Sequence, residues 1–179
     1  MRRVEVRDYD PEWPLLYEHL RARIWPAVSD VAITIEHVGS TAVPGLAAKP
    51  IIDLDVVAVP ALINECTRRL EGLGYRHQGD LGIPGREAFA EPPGSPRHHL
   101  YLCSSDSEAL ANHLTVRAAL RASSSEARAY GELKKALADT FAEDRDAYTA
   151  GKTDFLLALL ARAGFSAAAL ADIRGMNAR

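Results

Sequence analysis

The stretch Gly39-Ser40-Thr41-Ala42-Val43-Pro44-Gly45-Leu46-Ala47-Ala48-Lys49-Pro50-Ile51-Ile52-Asp53-Leu54-Asp55-Val56-Val57-Ala58-Val59 decides how this chain is read. Residues 51–59 form an almost wholly apolar run between Pro50 and Pro60, the pattern of a strand covered on at least one face. Side chains alternate along a strand, so Ile52, Leu54, Val56 and Ala58 share one face while Asp53 and Asp55 share the other. The Cα atoms of the two acids stand about 6.5 Å apart. Two bare carboxylates at that range repel, and burying them is costly. A divalent cation between them removes the conflict. Magnesium (or manganese) suits so few carboxylates, because it keeps waters and takes further ligands from substrate phosphates. The plainer alternative places both acids at an exposed sheet edge or against arginines; the surrounding Ile and Val argue against it.

Twelve residues before this strand, Gly39-Ser40 closes another, Val31 to Val38, in which β-branched residues alternate with others. Glycine lets backbone come close to a ligand, and N–H groups at a helix start attract phosphate. Ser40 and Thr41 add hydroxyl donors, and Thr41 to Leu46 can begin a short helix. A glycine-serine turn alone is common in hairpins; beside an apolar strand bearing Asp-x-Asp it points to a phosphate cradle next to metal ligands. Lys49, just before the strand, can reach a phosphate or simply face solvent. His37 precedes the turn on an apolar face and reads as structural, and Glu36 as a solvent-side strand residue.

Outward from this centre, Asp10-Pro11-Glu12-Trp13 opens a helix with Asp10 as cap, continued by Leu16, Leu20 and Ile24 at helical spacing. Ala61 to Leu73 is a second helix, stopped by Gly72 and Gly74. Tyr75 to Gln78 is a weak strand, Asp80 to Pro96 a long glycine- and proline-rich loop, and Arg97 to Cys103 a further strand. After Ser107 the pattern is helical: Leu110, Leu114 and Leu120; Ala127, Tyr130, Leu133 and Leu137; Phe155 to Leu160; and a short last helix from Ser166. The expected class is α+β (α/β mixed sheet), one domain over 1–179, with a sheet core to about 105, a helical layer to about 165 and a tail after 166.

The 179 residues, 47% hydrophobic and 25% charged, are those of an ordinary globular chain that can bury a core without staples. A net charge of −3 gives no reason to expect duplex nucleic acid as partner. No apolar leader or spanning stretch is present, so a cytoplasmic location away from membranes is expected. Cys66 and Cys103 are isolated, without zinc-type spacing, and read as small buried hydrophobes.

The turn, short helix and acid-hydrophobic-acid strand resemble the core motif of the polymerase-β-like nucleotidyltransferase superfamily. More narrowly, His37 to Val56 looks like the signature of the GrpB family, sometimes found fused to dephospho-coenzyme A kinase. The resemblance continues through Arg97-His98-His99-Leu100-Tyr101-Leu102, Val116-Arg117-Ala118-Ala119-Leu120-Arg121, Tyr130-Gly131-Glu132-Leu133-Lys134 and Tyr148-Thr149-Ala150-Gly151-Lys152. It implies a nucleotidyltransferase-like fold with Asp53 and Asp55 as metal ligands and catalytic acids. Gly39, Ser40, Thr41 and Lys49 would then meet phosphate. Arg117, Tyr130, Lys134 and Lys152 match family positions on the helical layer, where they close over a triphosphate or face solvent.

This chain departs from the superfamily at one place. The strand expected to bring a third acid carries His98, His99 and Tyr101 instead. His99 shares a face with Tyr101 and can ligate metal or accept a proton. The expected activity is metal-dependent transfer of a nucleotidyl group from a nucleoside triphosphate to a small acceptor that the sequence does not identify. The alternative is a non-catalytic nucleotide- or coenzyme-binding protein on the same scaffold. A hydrolase with Ser40 as nucleophile lacks the Gly-x-Ser-x-Gly elbow.

Overall fold

The computed structural model describes residues 3–177. Helix α1 (Glu12–Val28) starts where the Asp10 carboxylate accepts the Glu12 N–H at 2.9 Å, and it buries Trp13, Leu20, Ile24 and Val28 at helical spacing. Strand β1 (Thr34–Val38) leads into a single 3-10 turn at Ser40–Ala42. Strand β2 (Ile52–Ala58) is followed by helix α2 (Ile63–Gly72), the two-residue β3 (Arg76–His77), β4 (Arg86–Ala90) and β5 (His98–Ser104). Five helices complete the chain: α3 (Glu108–Ala122), α4 (Ser124–Thr140), α5 (Arg145–Gly151), α6 (Thr153–Arg162) and α7 (Ala167–Asn177).

The sheet order is β1-β2-β5-β4-β3. Only β2 and β5 run parallel; β1 with β2, β5 with β4 and β4 with β3 are antiparallel. The parallel pair needs a crossover, and α2 supplies part of it, packing with α1 on one face of the sheet. That face is the main core: Ile52, Leu54, Val56 and Ala58 of β2 and Leu100 and Leu102 of β5 meet Leu20, Ile24, Cys66 and Leu70 of the helices. The period of two sends Asp53, Asp55 and Val57, with His99, Tyr101 and Cys103, to the opposite face, under the helical layer. There Val57 and Cys103 pack on Leu110 of α3. The fold is thus α+β with a mixed sheet, as the pattern predicts.

Two elements differ from the sequence expectation. Residues 86–90, read as part of a long loop, form β4, paired residue by residue with β5 from Arg86↔Cys103 to Phe89↔Leu100. Arg-Glu-Ala-Phe-Ala holds a single strong strand former; its conformation comes from the free edge of β5, because strand preference is set by context more than by residue type. Helix α5 was not expected either. It has seven residues, too few for a periodic apolar signal, and forms because the Asp144 side chain caps the Asp146 and Ala147 N–H groups. No helix among the described residues is long and apolar enough to cross a membrane.

Gly39 joins β1 to the turn at φ 68° and ψ −172°, a region that side-chain-bearing residues avoid. A Cβ there would stand 2.2 Å from Asp53 Oδ2. Gly39→Ala should therefore lower unfolding free energy by about 1–3 kcal/mol from backbone strain alone and displace Asp53 as well. Denaturant titration checks the first effect. For comparison, Leu54→Ala, which hollows out the opposite face, should cost about 2–5 kcal/mol.

Candidate functional site: a lysine-lined cavity beside two aspartate–histidine pairs

The β1–β2 register places Val38 opposite Asp53, which brings the turn and the first acid together. In the parallel register Asp53 stands beside His99 and Asp55 beside Tyr101. Asp53 Oδ1 pairs with His99 Nδ1 at 2.7 Å, and Asp55 Oδ2 pairs with His113 Nδ1 of α3 at 2.7 Å. The acids share a face, yet their surroundings differ. Asp53 keeps 26% side-chain exposure, whereas Asp55 has none, sealed by His113. Burial pushes the Asp53 carboxyl up, but the His99 hydrogen bond and the charges of His99, Lys49 and His113 outweigh it and hold the group below its ordinary value. Burial lowers the His113 imidazole, and the Asp55 charge and hydrogen bond more than reverse this.

Asp53 opens onto a cavity of about 330 Å³ between the sheet and α3 to α7. Gly39, Ser40, Thr41, Lys49, Asp53, His99, Tyr130, Lys134 and Lys152, all expected site residues, line it together with His113, Arg145 and Tyr148. The chain has four lysines, and Lys135 alone among the described residues is ion-paired. The other three surround the cavity. Lys134 is only 2% exposed, its Nζ has no hydrogen-bond partner among the described residues, and it sits 4.6 Å from the Tyr130 ring centre. Lys152 and Lys49 lie 4.7 and 5.5 Å from the Tyr148 ring centre. Aromatic faces attract cations but do not replace an anion.

Burial, then the charge of Lys152, pushes Lys134 down to about 7. Burial and Lys49 push Lys152 down to about 8. Burial also lowers Lys49, and Asp53 is the carboxylate that works against all three shifts. Among the described residues the cavity gathers several desolvated ammonium groups and one facing carboxylate, Asp53, a donor set whose chemistry suits a polyanion.

Some expected residues stand elsewhere or serve otherwise. Arg117 is held by Glu36 Oε2 at 2.8 Å and by the His37 carbonyl at 2.7 Å, and does not line the cavity. Glu36 is therefore a partner of the helical layer and not a plain solvent-side residue. The Thr41 hydroxyl is 3.0 Å from His37 Nε2, and His37 stacks on Tyr17 at 4.6 Å. Burial pushes His37 down to about 4, so it is neutral and structural. His113, Arg145 and Tyr148 were not singled out as site residues. His113 belongs to a helix and pairs with an acid 58 positions away, a separation that no local pattern reports. Tyr148 and Lys152 stand four apart around the end of α5, and that spacing was the available signal.

A family model described as GrpB protein matches residues 3–162. The chain is 39% identical over 169 residues to UPF0157 protein PA4798 of Pseudomonas aeruginosa, covering 90% of this chain and 68% of that one. It is 31% identical over 157 residues to UPF0157 protein YqkA of Bacillus subtilis, covering 87% of this chain but 46% of that one, so it spans about half the length of that relative. The crystal structure of GrpB from Enterococcus faecalis superposes with a TM-score of 0.79 at 30% identity, covering 93% of this chain and 98% of that one. A match over this much of the sequence, with the same fold, shows that the chain belongs to the GrpB family.

Proposed function

We propose that this protein binds a nucleoside triphosphate with a divalent cation and transfers its nucleotidyl group to a small acceptor, on a nucleotidyltransferase-like scaffold. The observation that carries this reading is the convergence of Lys49, Lys134 and Lys152, none of them ion-paired among the described residues, on the cavity into which Asp53 faces beside the Gly39-Ser40 turn. Asp53 and Asp55 fit a magnesium or manganese ion by donor type, two carboxylates on one face of β2 with Asp53 lining the cavity beside the turn. Such an ion, once bound, neutralises charge on the donor phosphates.

The chain's own residues do the rest. The Gly39-Ser40 backbone and the three lysines hold the β- and γ-phosphates, and Tyr130 and Tyr148 keep water from the ammonium groups. His99, oriented through Nδ1 by Asp53, takes the acceptor's proton on its other ring nitrogen. The acceptor oxygen bonds to the α-phosphorus, the bond to the bridging oxygen breaks, and pyrophosphate leaves among the lysines.

A second reading, a nucleotide or coenzyme binder without turnover, is favoured by the occlusion of Asp55 behind His113 and by the absence of a third acid on β5. Incubation with each labelled nucleoside triphosphate and a metabolite pool separates the two, since a binder yields no product.

Calorimetry with ATP should show binding that strengthens with magnesium. Asp53→Asn should remove the magnesium-dependent part, and Lys134→Met should weaken binding at least about tenfold, or about 1.4 kcal/mol. Unchanged binding in Asp53→Asn/Asp55→Asn overturns the reading.

The lysines also set a pH dependence. Burial pushes Lys134 in the folded protein down to about 7 from its ordinary 10.5, so between those values the unfolded chain holds more protons and stability rises with pH. Below 7 both states carry the charge, and the folded state bears the full penalty of burying it. Without ligand, Lys134→Met should therefore melt higher than wild type at pH 6, with the gap narrowing toward pH 10. Scanning calorimetry across that range checks it.

A further inference from the structure

On the same sheet face, further along β2 and β5 than Asp53 and His99, a carboxylate, a thiol and an imidazole meet. One ligand atom each from Asp55, Cys103 and His113 lies within 4.8 Å of the other two. The three come from β2, β5 and α3, so tertiary packing and not a local turn assembles them. Asp55 and Cys103 are 0% exposed. The Asp55 carboxylate is incompletely satisfied: Oδ2 receives His113 Nδ1 at 2.7 Å, Oδ1 has no nitrogen or oxygen partner among the described residues, and the only other group bonded to the carboxylate is the weak donor thiol of Cys103. An unsatisfied buried carboxylate oxygen is costly unless something occupies the position it faces.

We propose that Asp55, Cys103 and His113 hold a borderline-soft divalent ion, of the zinc or cobalt class, at a position distinct from the phosphate-bound cation of the reading above. Such an ion bonds to nitrogen and oxygen at about 2.0–2.2 Å and to thiolate sulfur at about 2.3 Å. Tetrahedral angles then separate the donors by about 3.3–3.6 Å, so modest side-chain shifts within the cluster close the site. Magnesium prefers oxygen ligands and water and gains little from a thiol or an imidazole. Three protein ligands leave a fourth position, and His113, which also lines the cavity, gives the ion a route from it. The rival is Arg86, a buried guanidinium 4.2 Å from the Tyr101 ring centre whose Nε likewise lacks a partner. No hydrogen bond joins it to Asp55, and a direct ion pair between them would remove the need for an ion.

Titration of the metal-stripped protein with cobalt(II) tests the proposal. Wild type should develop the visible bands of a tetrahedral ion together with a near-ultraviolet thiolate-to-cobalt charge-transfer band. That band should vanish in Cys103→Ser, and His113→Ala should weaken cobalt binding at least about tenfold. Zinc should raise the melting temperature of wild type and leave Cys103→Ser unmoved. Absence of the charge-transfer band in wild type, the outcome if Arg86 serves Asp55, overturns the proposal without recourse to any variant. Magnesium-dependent ATP binding measured on Cys103→Ser reports on the nucleotide reading separately, because that variant leaves Asp53 and the lysines in place.

Discussion

Residue 39 can carry no side chain, and the site depends on this. The Asp53 carboxylate occupies the space a Cβ would take, so strand β1 ends with its backbone pressed against the first acid of β2. That contact fixes how far the turn can stand from the carboxylate, and with it where a phosphate could lie relative to a cation. The antiparallel register of β1 on β2 and the parallel register of β5 on β2 then place Gly39 and His99 on opposite flanks of the same acid. A one-residue slip of β2 against both neighbours would turn Asp53 into the apolar face packed against α1 and α2.

The helical layer adds charge where the sheet adds geometry. Lys134 and Lys152 come from α4 and from the junction of α5 with α6, and each rests on a tyrosine ring instead of a carboxylate. Burying an ammonium group without a counter-ion works against folding. Three lysines set around one cavity carry that cost together, and under the proposed function an anionic ligand would offset it, a trade common at binding sites. The ion pairs elsewhere, such as Arg69 with Asp30 and Glu65 or Arg117 with Glu36, show that the same fold pairs its charges where no ligand space adjoins them.

Much of this was legible in the residues. A period of two assigned Asp53 and Asp55 to one face because a single buried strand carries both, and the glycine turn declared itself by standing at a strand end. Tyr130, Lys134 and Lys152 of the cavity lining were legible through family positions, not through any physical pattern; spacing alone does not say that Lys134 turns inward while Lys135 turns out. What escaped was long-range pairing: His113 with Asp55, Arg117 with Glu36, and β4 with β5. Such partners are chosen by packing between elements distant in sequence. The different depth of the two acids was likewise invisible, since alternation gives the side of a sheet and not what covers it.

Tyr148 serves two neighbourhoods at once. One part of its ring meets the ammonium groups of Lys49 and Lys152, while the rest packs with Val4 and Ala138, and Val4 is itself tied by its N–H to the Ala142 carbonyl. The first few described residues therefore plug the outer wall of the chamber, far though they are in sequence from every charged group inside it. Trimming that amino-terminal strap would wet the tyrosine from behind, raise the local dielectric, and return the lysines toward their ordinary protonation, turning a recess of desolvated ammonium groups into a common basic patch.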